Sequence, residues 1–276
     1  MRVKVYNNRL KVYGGRVKYN YANESKAVVD AIQTTDQLNA IQRLYGHFII
    51  GMEINEVIWA KNTALYGNLG GTAASHALNW KDPRNLDAAF RLTFPNGATH
   101  DNNGILFNGT TQYAETFINP STQITPTNLH LSVYSNTLYV GASATADIST
   151  TTNNASGANL IELLNNNAVN QFALGNNAAN LDFLQVPIKT GYLLGNIFDG
   201  KLQVLSRDIL SSKTNTVTYQ SSTNTFKIGV RSNNVNFSLY SNKQYQMISL
   251  GLGLTEAQAI RKSQIATFAQ KIKNRA

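Results

Sequence analysis

The sequence has no cysteine among its 276 residues, and only 14% of them are charged. The absence of cysteine excludes disulfide bonds and thiolate zinc sites. No apolar run approaches about 18 residues, and the first residues alternate Arg and Lys with Val and Tyr, so we expect neither a transmembrane helix nor an ordinary secretory signal. Hydrophobic residues make up 42% of the chain. That fraction is too high for a disordered protein and is enough for a substantial core.

Asparagine is abundant instead, with 35 copies in the chain. Asn, Ser, Thr and Gly favour turns, and apolar residues alternate with polar ones in many short segments. The pairs Asn108-Gly109 and Asp199-Gly200 predict two β-hairpins. About a dozen short strands at this spacing indicate a mainly β sandwich or barrel. The predicted strands are 89–94, 105–107, 112–117, 129–134, 160–164, 172–174, 192–198, 201–205, 216–219, 226–230, 237–240 and 245–250.

The formal net charge of +9 is concentrated at the two ends of the chain. Residues 1–23 carry six basic side chains and residues 261–276 carry five, with no acid in either segment. The 237 residues between them hold 13 basic and 15 acidic groups, a sum of −2. A nucleic-acid-binding protein more often carries a basic stripe across its folded body. The distribution therefore predicts an acidic protein partner at the ends and no nucleic-acid partner.

Residues 1–23 form a basic arm built on a short repeat. Each unit alternates basic and apolar residues, and the turn pairs Asn7-Asn8 and Gly14-Gly15 separate three short predicted strands. Strands this short are not stable alone in water, so the arm either packs on its own body or is completed by another subunit, and we favour the second. A solvated positive edge that discourages aggregation is a simpler reading. The candidate attachment residues are Arg2, Lys4, Arg9, Lys11, Arg16 and Lys18.

Residues 24–62 form a predicted helical neck. Residues 25–33 predict a short helix, and Thr34 or Thr35 could cap a longer one that ends near Gly51. Its apolar stripe either packs on a core, which we favour, or forms a stem shared between subunits. A closing helix with Thr255 and Gln258 as a capping box is predicted near the C-terminus. The two apolar stripes consist of Leu38, Ile41, Leu44, Phe48 and Ile49, and of Ile260, Ile265, Phe268 and Ile272.

Several segments between Glu53 and the C-terminus together carry a family resemblance. The segments are 59–67, 70–79, 81–84, 88–94, 104–113, 129–135 and 251–259. They resemble the concanavalin A-like (laminin-G-like) sandwich modules of bacteriophage virion proteins, particularly fibre, spike and capsid-attached proteins. The resemblance implies that residues 63–276 form a concanavalin A-like jelly-roll β-sandwich that ends in the C-terminal helix. It also implies a virion setting, on the surface of a particle assembled in the host cytoplasm.

The resemblance does not bring an enzyme motif with it. Glucanases of this fold carry a Glu-x-Asp-x-x-Glu triplet on one strand, and this sequence has none. Glycoside hydrolysis needs two carboxyl groups about 5–10 Å apart. Glu53 and Glu56 are the closest pair of acids we considered, but we expect them to be solvated in the helical neck. We therefore expect no catalytic residues and no cofactor.

Ligand sites are equally sparse in the sequence. Lectins of this fold hold calcium with Asp and Asn oxygens, and residues 100–103 (His-Asp-Asn-Asn), with Asp147 and Asp182 in other loops, are the best local candidates. A plain turn explains them more simply, so we predict no metal. The four histidines have no metal-ligand spacing and are expected to pack or face solvent. Trp80 and several of the 13 tyrosines could contribute to a sugar site, although tyrosines are also expected in sandwich strands, whereas Trp59 is expected in the core.

The sequence therefore predicts a non-enzymatic virion structural protein with a lectin-like sandwich. Its partners would be capsid or tail proteins, bound through the N-terminal arm, and further copies of itself, with a trimer expected because phage fibres commonly take that form. The alternative is a receptor- or glycan-binding adhesion module that attaches the particle to a host surface glycan. No membrane partner is expected.

Overall fold

Two six-stranded antiparallel sheets stack face to face, and helices cover one of them. The computed structural model describes the side chains of residues 23–138, 143–152, 159–166, 169–175, 181–187, 190–207, 209–216 and 222–273. It also describes the backbone of residues 2–6, 9–13, 176–177 and 180. None of the described helices is long and apolar enough to cross a membrane.

The elements follow one another along the chain in a clear order, with helices at both ends of a strand-rich region. The helices are α1 (Asn23–Gln33), α2 (Ala40–Asn55), α3 (Ala73–Ala77) and α4 (Glu256–Ile272). The strands are β1 (Arg2–Tyr6), β2 (Arg9–Tyr13), β3 (Asn62–Tyr66), β4 (Thr99–Asp101), β5 (Gly104–Leu106), β6 (Ala114–Glu115), β7 (Leu129–Ser135), β8 (Thr145–Thr150), β9 (Leu160–Asn166), β10 (Val169–Asn177), β11 (Asn180–Pro187), β12 (Gly191–Phe198), β13 (Lys201–Ser206), β14 (Ile209–Thr214), β15 (Lys227–Ile228), β16 (Arg231–Ser232), β17 (Phe237–Ser238), β18 (Gln244–Tyr245) and β19 (Met247–Gly251).

The outer sheet has the strand order β11-β10-β9-β8-β15-β6, and the inner sheet has the order β14-β13-β12-β7-β19-β3. Neighbours such as β7 and β19 or β8 and β15 are far apart in sequence, as expected of a jelly roll and not of a simple meander. Smaller pairings complete the structure: β4 with β5 and β18, β16 with β17, and β1 with β2.

The inner sheet is buried on both faces. Leu129, Leu131 and Val133 of β7 face the core between the two sheets. On the other face of the inner sheet, helices α1, α2 and α4 complete a second core, which contains Tyr45 and Ile49 of α2. The apolar face of the helical neck therefore packs on a core, which was the favoured alternative. The division of the chain into arm, neck and sandwich as separate units stays a prediction.

Both long helices begin at a capping box, but only one was predicted correctly. Thr255 and Gln258 cap α4 as expected. The cap of α2 is Asn39 with Gln42, and not Thr34 or Thr35. These two threonines instead donate their hydroxyls back to the carbonyls of Ala31 and Ile32 at the end of α1. The predicted helix end at Gly51 is also wrong, because α2 continues to Asn55.

The predicted apolar stripes are only partly right. In α2 the buried face is rotated from the predicted one: Ile41 is 49% exposed, and the buried residues are Gln42, Tyr45, Gly46, Ile49, Ile50 and Glu53. In α4, Ile265 is buried as expected, whereas Ile260 is 37% exposed. The reason is that both helices also bury polar groups, which an apolar stripe does not identify.

The hairpin at Asp199-Gly200 is confirmed, and β12 pairs with β13 there. Both turn residues have positive φ, which the type I′ turn requires. The hairpin predicted at Asn108-Gly109 is wrong. The Asn108 side chain instead accepts hydrogen bonds from the backbone N–H groups of residues 110, 111 and 112. The flanking strands pair elsewhere, β5 with β18 and β6 with β15.

The strand predicted at 89–94 is also wrong. A 3₁₀ helix, Asp87–Ala89, occupies its start, and Phe90 has a left-handed backbone conformation. Only Thr93 forms an isolated bridge, to Glu115. The predicted strand at 216–219 lies outside the described residues from position 217 on. Six strands, β3, β4, β8, β11, β14 and β16, were not predicted at all.

Candidate functional site

Part of the outer sheet is open to a ligand at its β11 edge. The helix-side face of the inner sheet is filled by the second core, whereas the outer face of the outer sheet carries several exposed side chains. The β16–β17 hairpin lies over part of this outer face, where Arg231 of β16 pairs with the fully buried Glu162 of β9. Leu160 and Leu164 of β9 and Ala173 of β10 are also buried on this face. Its exposed side chains lie on β11 and at the adjoining ends of β9 and β10.

An exposed aromatic ring stands beside side-chain amides on this uncovered part. Phe183 of β11 is 45% exposed. The amide of Gln185, two residues along the same strand face, donates to Oε1 of Gln171 on β10 at 2.8 Å. Asn166 of β9 reaches the same oxygen at 3.5 Å. We call Phe183, Gln185, Gln171 and Asn166 the open surface.

A charged pair borders the open surface. Lys213 of β14 has its Nζ 5.9 Å from the centroid of the Phe183 ring and forms an ion pair with Asp182. Burial acts to raise the pKa of Asp182, but hydrogen bonds from Lys213 and Thr216 outweigh burial and hold that pKa below its usual range. Asp182 therefore stays ionised, and it accepts three hydrogen bonds, two from Thr216 and one from Lys213.

A second group of aromatic side chains lies at the other end of the outer face. Tyr113, just before β6, stacks on Phe237 of β17 with ring centroids 5.0 Å apart and ring planes inclined by 31°. Burial raises the pKa of Tyr113, and Glu115 and Tyr240 raise it further. These two tyrosines and Phe237 are each partly exposed. We call Tyr113, Phe237 and Tyr240 the hairpin surface.

A polar network supports the hairpin surface from below. Lys227 of β15 donates to Glu115 at 2.6 Å, to Thr225 at 3.1 Å and to Asn234 at 2.6 Å. The other carboxylate oxygen of Glu115 accepts from the backbone N–H groups of Thr116 and Phe117. The network fixes the β16–β17 hairpin against the sheet, and the rings of the hairpin surface lie beside it.

The predicted attachment residues can be placed only in part. Arg2 and Lys4 lie on β1 and Arg9 and Lys11 on β2, which pair as an antiparallel hairpin with Lys4 opposite Lys11 and Val3 opposite Val12. This register matches basic positions with basic ones and apolar positions with apolar ones at the centre of the hairpin. Arg16, Lys18 and the third predicted strand lie outside the described residues. The role of these six residues in attachment stays a prediction.

The candidate acids do not form a cleft among the described residues. Glu53 was expected to be solvated, and this is wrong: it is fully buried and pairs with Lys262 of α4 at 2.6 Å. Glu56 lies at the end of α2 and pairs with Arg261. Asp101 accepts from Asn103 and Gln244, and Asp147 pairs with Lys243 inside the protein. No cluster of three or more acidic or histidine side chains in the described residues could hold a metal ion.

The histidines take part in packing and internal hydrogen bonds. His130 is fully buried, with Nδ1 donating to the Leu252 carbonyl at 2.7 Å. Burial lowers the pKa of His130 to about 3, and nearby Lys262 lowers it as well. His76 and His100 face each other with their Nδ1 atoms 3.1 Å apart. His47 contacts Ser25 at 3.0 Å.

The two tryptophans offer no ligand platform. Trp80, considered for a sugar site, is 1% exposed and packs edge-on against Tyr45 in the core under the helices. Trp59 packs at the margin of this core and is only partly buried, with Lys81 Nζ 4.2 Å from its ring centroid. The phenylalanines of the outer face, Phe183 and Phe237, were not singled out from the sequence. The alternation of Leu181, Phe183 and Gln185 along residues 180–187 is the signal that could have identified Phe183.

A comparison of the sequence with known protein families finds no match, and neither does one with curated proteins. Solved structures do match. The chain is similar to a sialidase from Trypanosoma rangeli, solved in complex with sialic acid, with 12% identity, a TM-score of 0.52 and coverage of 74% of this chain and 32% of the sialidase.

Two further structures broaden the comparison. Domain 4 of an extracellular arabinanase from Geobacillus stearothermophilus, in complex with arabinotriose, matches at 15% identity and a TM-score of 0.50, over 74% of this chain and 98% of that domain. The enzymatically active domain of tailspike protein 2 from bacteriophage CBA120 matches at 11% identity and a TM-score of 0.43, over 63% of this chain and 29% of the tailspike chain. Such low identities establish the fold alone. The chain is a mainly β, lectin-like jelly-roll sandwich, as the sequence predicts.

Proposed function

We propose that the protein is a non-enzymatic glycan-binding module that attaches its carrier to a host surface. The open surface is the observation that carries the proposal. An exposed ring offers an apolar face to the carbon-bound hydrogens of a sugar, and neighbouring amides offer both donors and acceptors to its hydroxyl groups. Phe183, Gln185 and Gln171 provide this combination on a sheet face that is not covered by helices. The arabinotriose and sialic acid bound to the two structural neighbours support the proposal without identifying the sugar.

The test is a glycan array probed with the full chain, followed by titration of each glycan that binds. We expect Phe183→Ala to weaken the binding of the glycan held at the open surface about tenfold, which corresponds to about 1.4 kcal/mol. Phe183→Tyr keeps the ring and should retain most of the affinity. Ile41→Ala is the matched control, because Ile41 is an exposed hydrophobic residue on the helix side of the molecule.

Two results would overturn this proposal. The first is the absence of binding to any glycan on the array. The second, which concerns only the non-enzymatic part, is the release of sugar from a glycan that binds. We expect Ile41→Ala to leave glycan affinity unchanged. An equal loss of affinity in this control would mean that removing any exposed apolar side chain weakens binding.

The second candidate function is that of a virion structural protein, with the sandwich displayed on a bacteriophage particle. The β1–β2 hairpin favours it, because a two-stranded hairpin is at best marginally stable alone and its centre pairs Lys4 with Lys11. An acidic capsid or tail surface, or a trimer of this chain, would complete the arm. Changing Arg2, Lys4, Arg9 and Lys11 together to Glu should abolish incorporation into particles and leave glycan binding intact. Unchanged incorporation would contradict this role.

A further inference from the structure

We propose that the hairpin surface is a second binding site, separate from the open surface, and that its ligand is a neutral saccharide. The ring geometry is the first observation. Tyr113 and Phe237 come from distant parts of the chain, yet they stack with centroids 5.0 Å apart and planes inclined by only 31°. Tyr240 lies close enough to raise the pKa of Tyr113. The two stacked, partly exposed rings thus form one apolar area on the outer face, and Tyr240, which is also partly exposed, follows Phe237 by three residues.

The tyrosine hydroxyls supply the polar part of this site. Neither Tyr113 nor Tyr240 makes a hydrogen bond through its hydroxyl within the part of the chain that the structure describes. Elsewhere in the protein the phenol groups of Tyr66 and Tyr245 donate to protein oxygens at 2.6 and 2.7 Å. The two hydroxyls of the hairpin surface are therefore available to a ligand, and each can both donate and accept.

The charges beside the rings decide the class of the ligand. An ammonium group has three N–H donors, and Lys227 uses them on Glu115, Thr225 and Asn234. The Lys227 side chain is 4% exposed, while its partner Glu115 is 16% exposed. A sugar carboxylate at the rings would find no free donor on Lys227 and would meet the charge of Glu115.

Arg231, the neighbouring cation of the outer face, is also already paired with a protein carboxylate. Arg231 donates to both carboxylate oxygens of Glu162, with Nε and Oε1 2.9 Å apart. Glu162 is fully buried, so its carboxylate depends on that pair. An acidic sugar would have to break an ion pair to obtain a counter-charge, whereas a neutral sugar needs only ring faces and hydroxyl partners. This distinguishes the hairpin surface from the open surface, where the partly exposed Lys213 lies beside Phe183.

The backbone around the rings is held in an uncommon conformation. Phe117 and Leu239 have φ of 59° and 51°, a left-handed region that bulky residues rarely occupy. The Glu115 carboxylate accepts the N–H of Phe117 at 3.0 Å and thereby stabilises that turn. The turn at Leu239 lies between Phe237 and Tyr240 and sets the relative position of their rings. Such conformations persist where the surrounding structure requires them, and they concentrate at ligand sites.

The experiment uses the full chain and an array that carries neutral and sialylated oligosaccharides. The double variant Tyr113→Phe/Tyr240→Phe removes two hydroxyls and keeps every ring, so the fold should persist, which a thermal melt verifies. We expect its affinity for neutral oligosaccharides to fall at least about tenfold relative to the unchanged chain. Phe183→Ala should leave that affinity within about twofold. Phe237→Ala is the second variant and should remove the same binding by breaking the ring stack.

The outcomes separate this site from the proposed function. If the double variant binds neutral oligosaccharides unchanged, or if only sialylated ones bind at the hairpin surface, the second site is wrong. If Phe183→Ala alone abolishes all binding, only the open surface binds and this inference fails while the proposed function stands. If the hydroxyl variant loses the neutral oligosaccharides and Phe183→Ala loses other glycans, both surfaces are established. If Phe183→Ala weakens the binding of no glycan on the array, the hairpin surface is established and the open surface is not the glycan site.

Discussion

Polar groups on the helix-side face of the inner sheet are buried and paired with one another, whereas those of the open surface remain in contact with solvent. Under the helices, Lys262 of α4 donates to Glu53 of α2 and to Asn62 of β3, and all three side chains are buried. Asn62 in turn donates to Glu53 at 2.6 Å. On the outer face, Gln185 and Gln171 bond each other while remaining partly open to solvent. Water can replace a partner in the second region but not in the first.

This difference determines on which face a polar residue can be substituted at little cost in stability. A buried polar group that loses its partner keeps the full cost of leaving water, whereas an exposed amide regains hydrogen bonds from solvent. Substitution of a polar residue under the helices is therefore limited by its buried partners. Substitution of a residue of the open surface is limited only by the ligand that it contacts. Residues of the open surface can therefore change to suit a ligand with little loss of stability.

The largest expected effect comes from breaking the buried pair. Lys262→Met leaves the carboxyl group of Glu53 buried with Asn62 as its remaining partner, so we expect the free energy of unfolding to fall by about 3–5 kcal/mol in urea titrations. The control is Lys26→Met, which breaks the exposed Lys26–Asp30 pair on α1 and should cost at most about 0.5 kcal/mol. The double variant Glu53→Leu/Lys262→Met should recover most of the loss. Equal effects of the two single variants would remove the contrast between the faces.

The next largest expected effect is a dependence of stability on pH. It arises from His130, on the helix-side face of the inner sheet. Burial holds the pKa of His130 near 3, against 6.5 for an exposed histidine. Between these values the unfolded chain binds a proton that the folded chain does not. Stability is therefore fully present above about pH 6.5 and falls as the pH decreases toward 3, by up to about 1.4 kcal/mol per pH unit.

His130→Asn is the variant that isolates this contribution. It keeps a donor toward the Leu252 carbonyl and removes the titration, so the slope of unfolding free energy against pH between about 6 and 4 should decrease by up to about one proton. Urea titrations at several pH values measure the slope, which is independent of any constant loss of stability in the variant. The same slope in both proteins would show that His130 does not control it.

The smallest expected effect lies on the open surface. Gln185→Ala removes an exposed amide that bonds only Gln171 among the described residues. We expect the free energy of unfolding to change by less than about 0.5 kcal/mol, even where glycan binding is lost. A loss above about 1.5 kcal/mol in a urea titration would mean that the open surface is part of the stabilising structure.

Local sequence signals predict the structure correctly where the residues involved form their contacts with one another. Asp199-Gly200 gives a hairpin because both residues take positive φ and the flanking strands pair with each other. Thr255 with Gln258 caps α4 because the four residues concerned are adjacent. Asn108-Gly109 carries the same turn signal, but only Gly109 has a positive φ, and the Asn108 side chain holds a local loop instead. Strands from the far end of the chain take the pairing positions beside it.

Sequence patterns do not predict the hairpin surface or the burial of Glu53 and Trp80, because each depends on residues far apart in the chain. Tyr113 and Phe237 are separated by more than a hundred residues, and only the β6–β15 pairing and the β16–β17 hairpin bring them together. Glu53 looked like a solvated helix residue because its partner, Lys262, lies on a different helix near the C-terminus. Trp80 looked like a ligand platform because its burial depends on α2 crossing the sheet.

The amino-acid sequence by itself determined the mainly β class, the closing helix and the basic charge at the two ends of the chain, because alternation, capping and charge are properties of neighbouring residues. The tertiary structure decided which sheet face the helices cover, which ion pairs are buried and where aromatic rings meet. These outcomes depend on contacts between residues far apart in the chain, and the free energy of such contacts comes from burial, which no local pattern specifies.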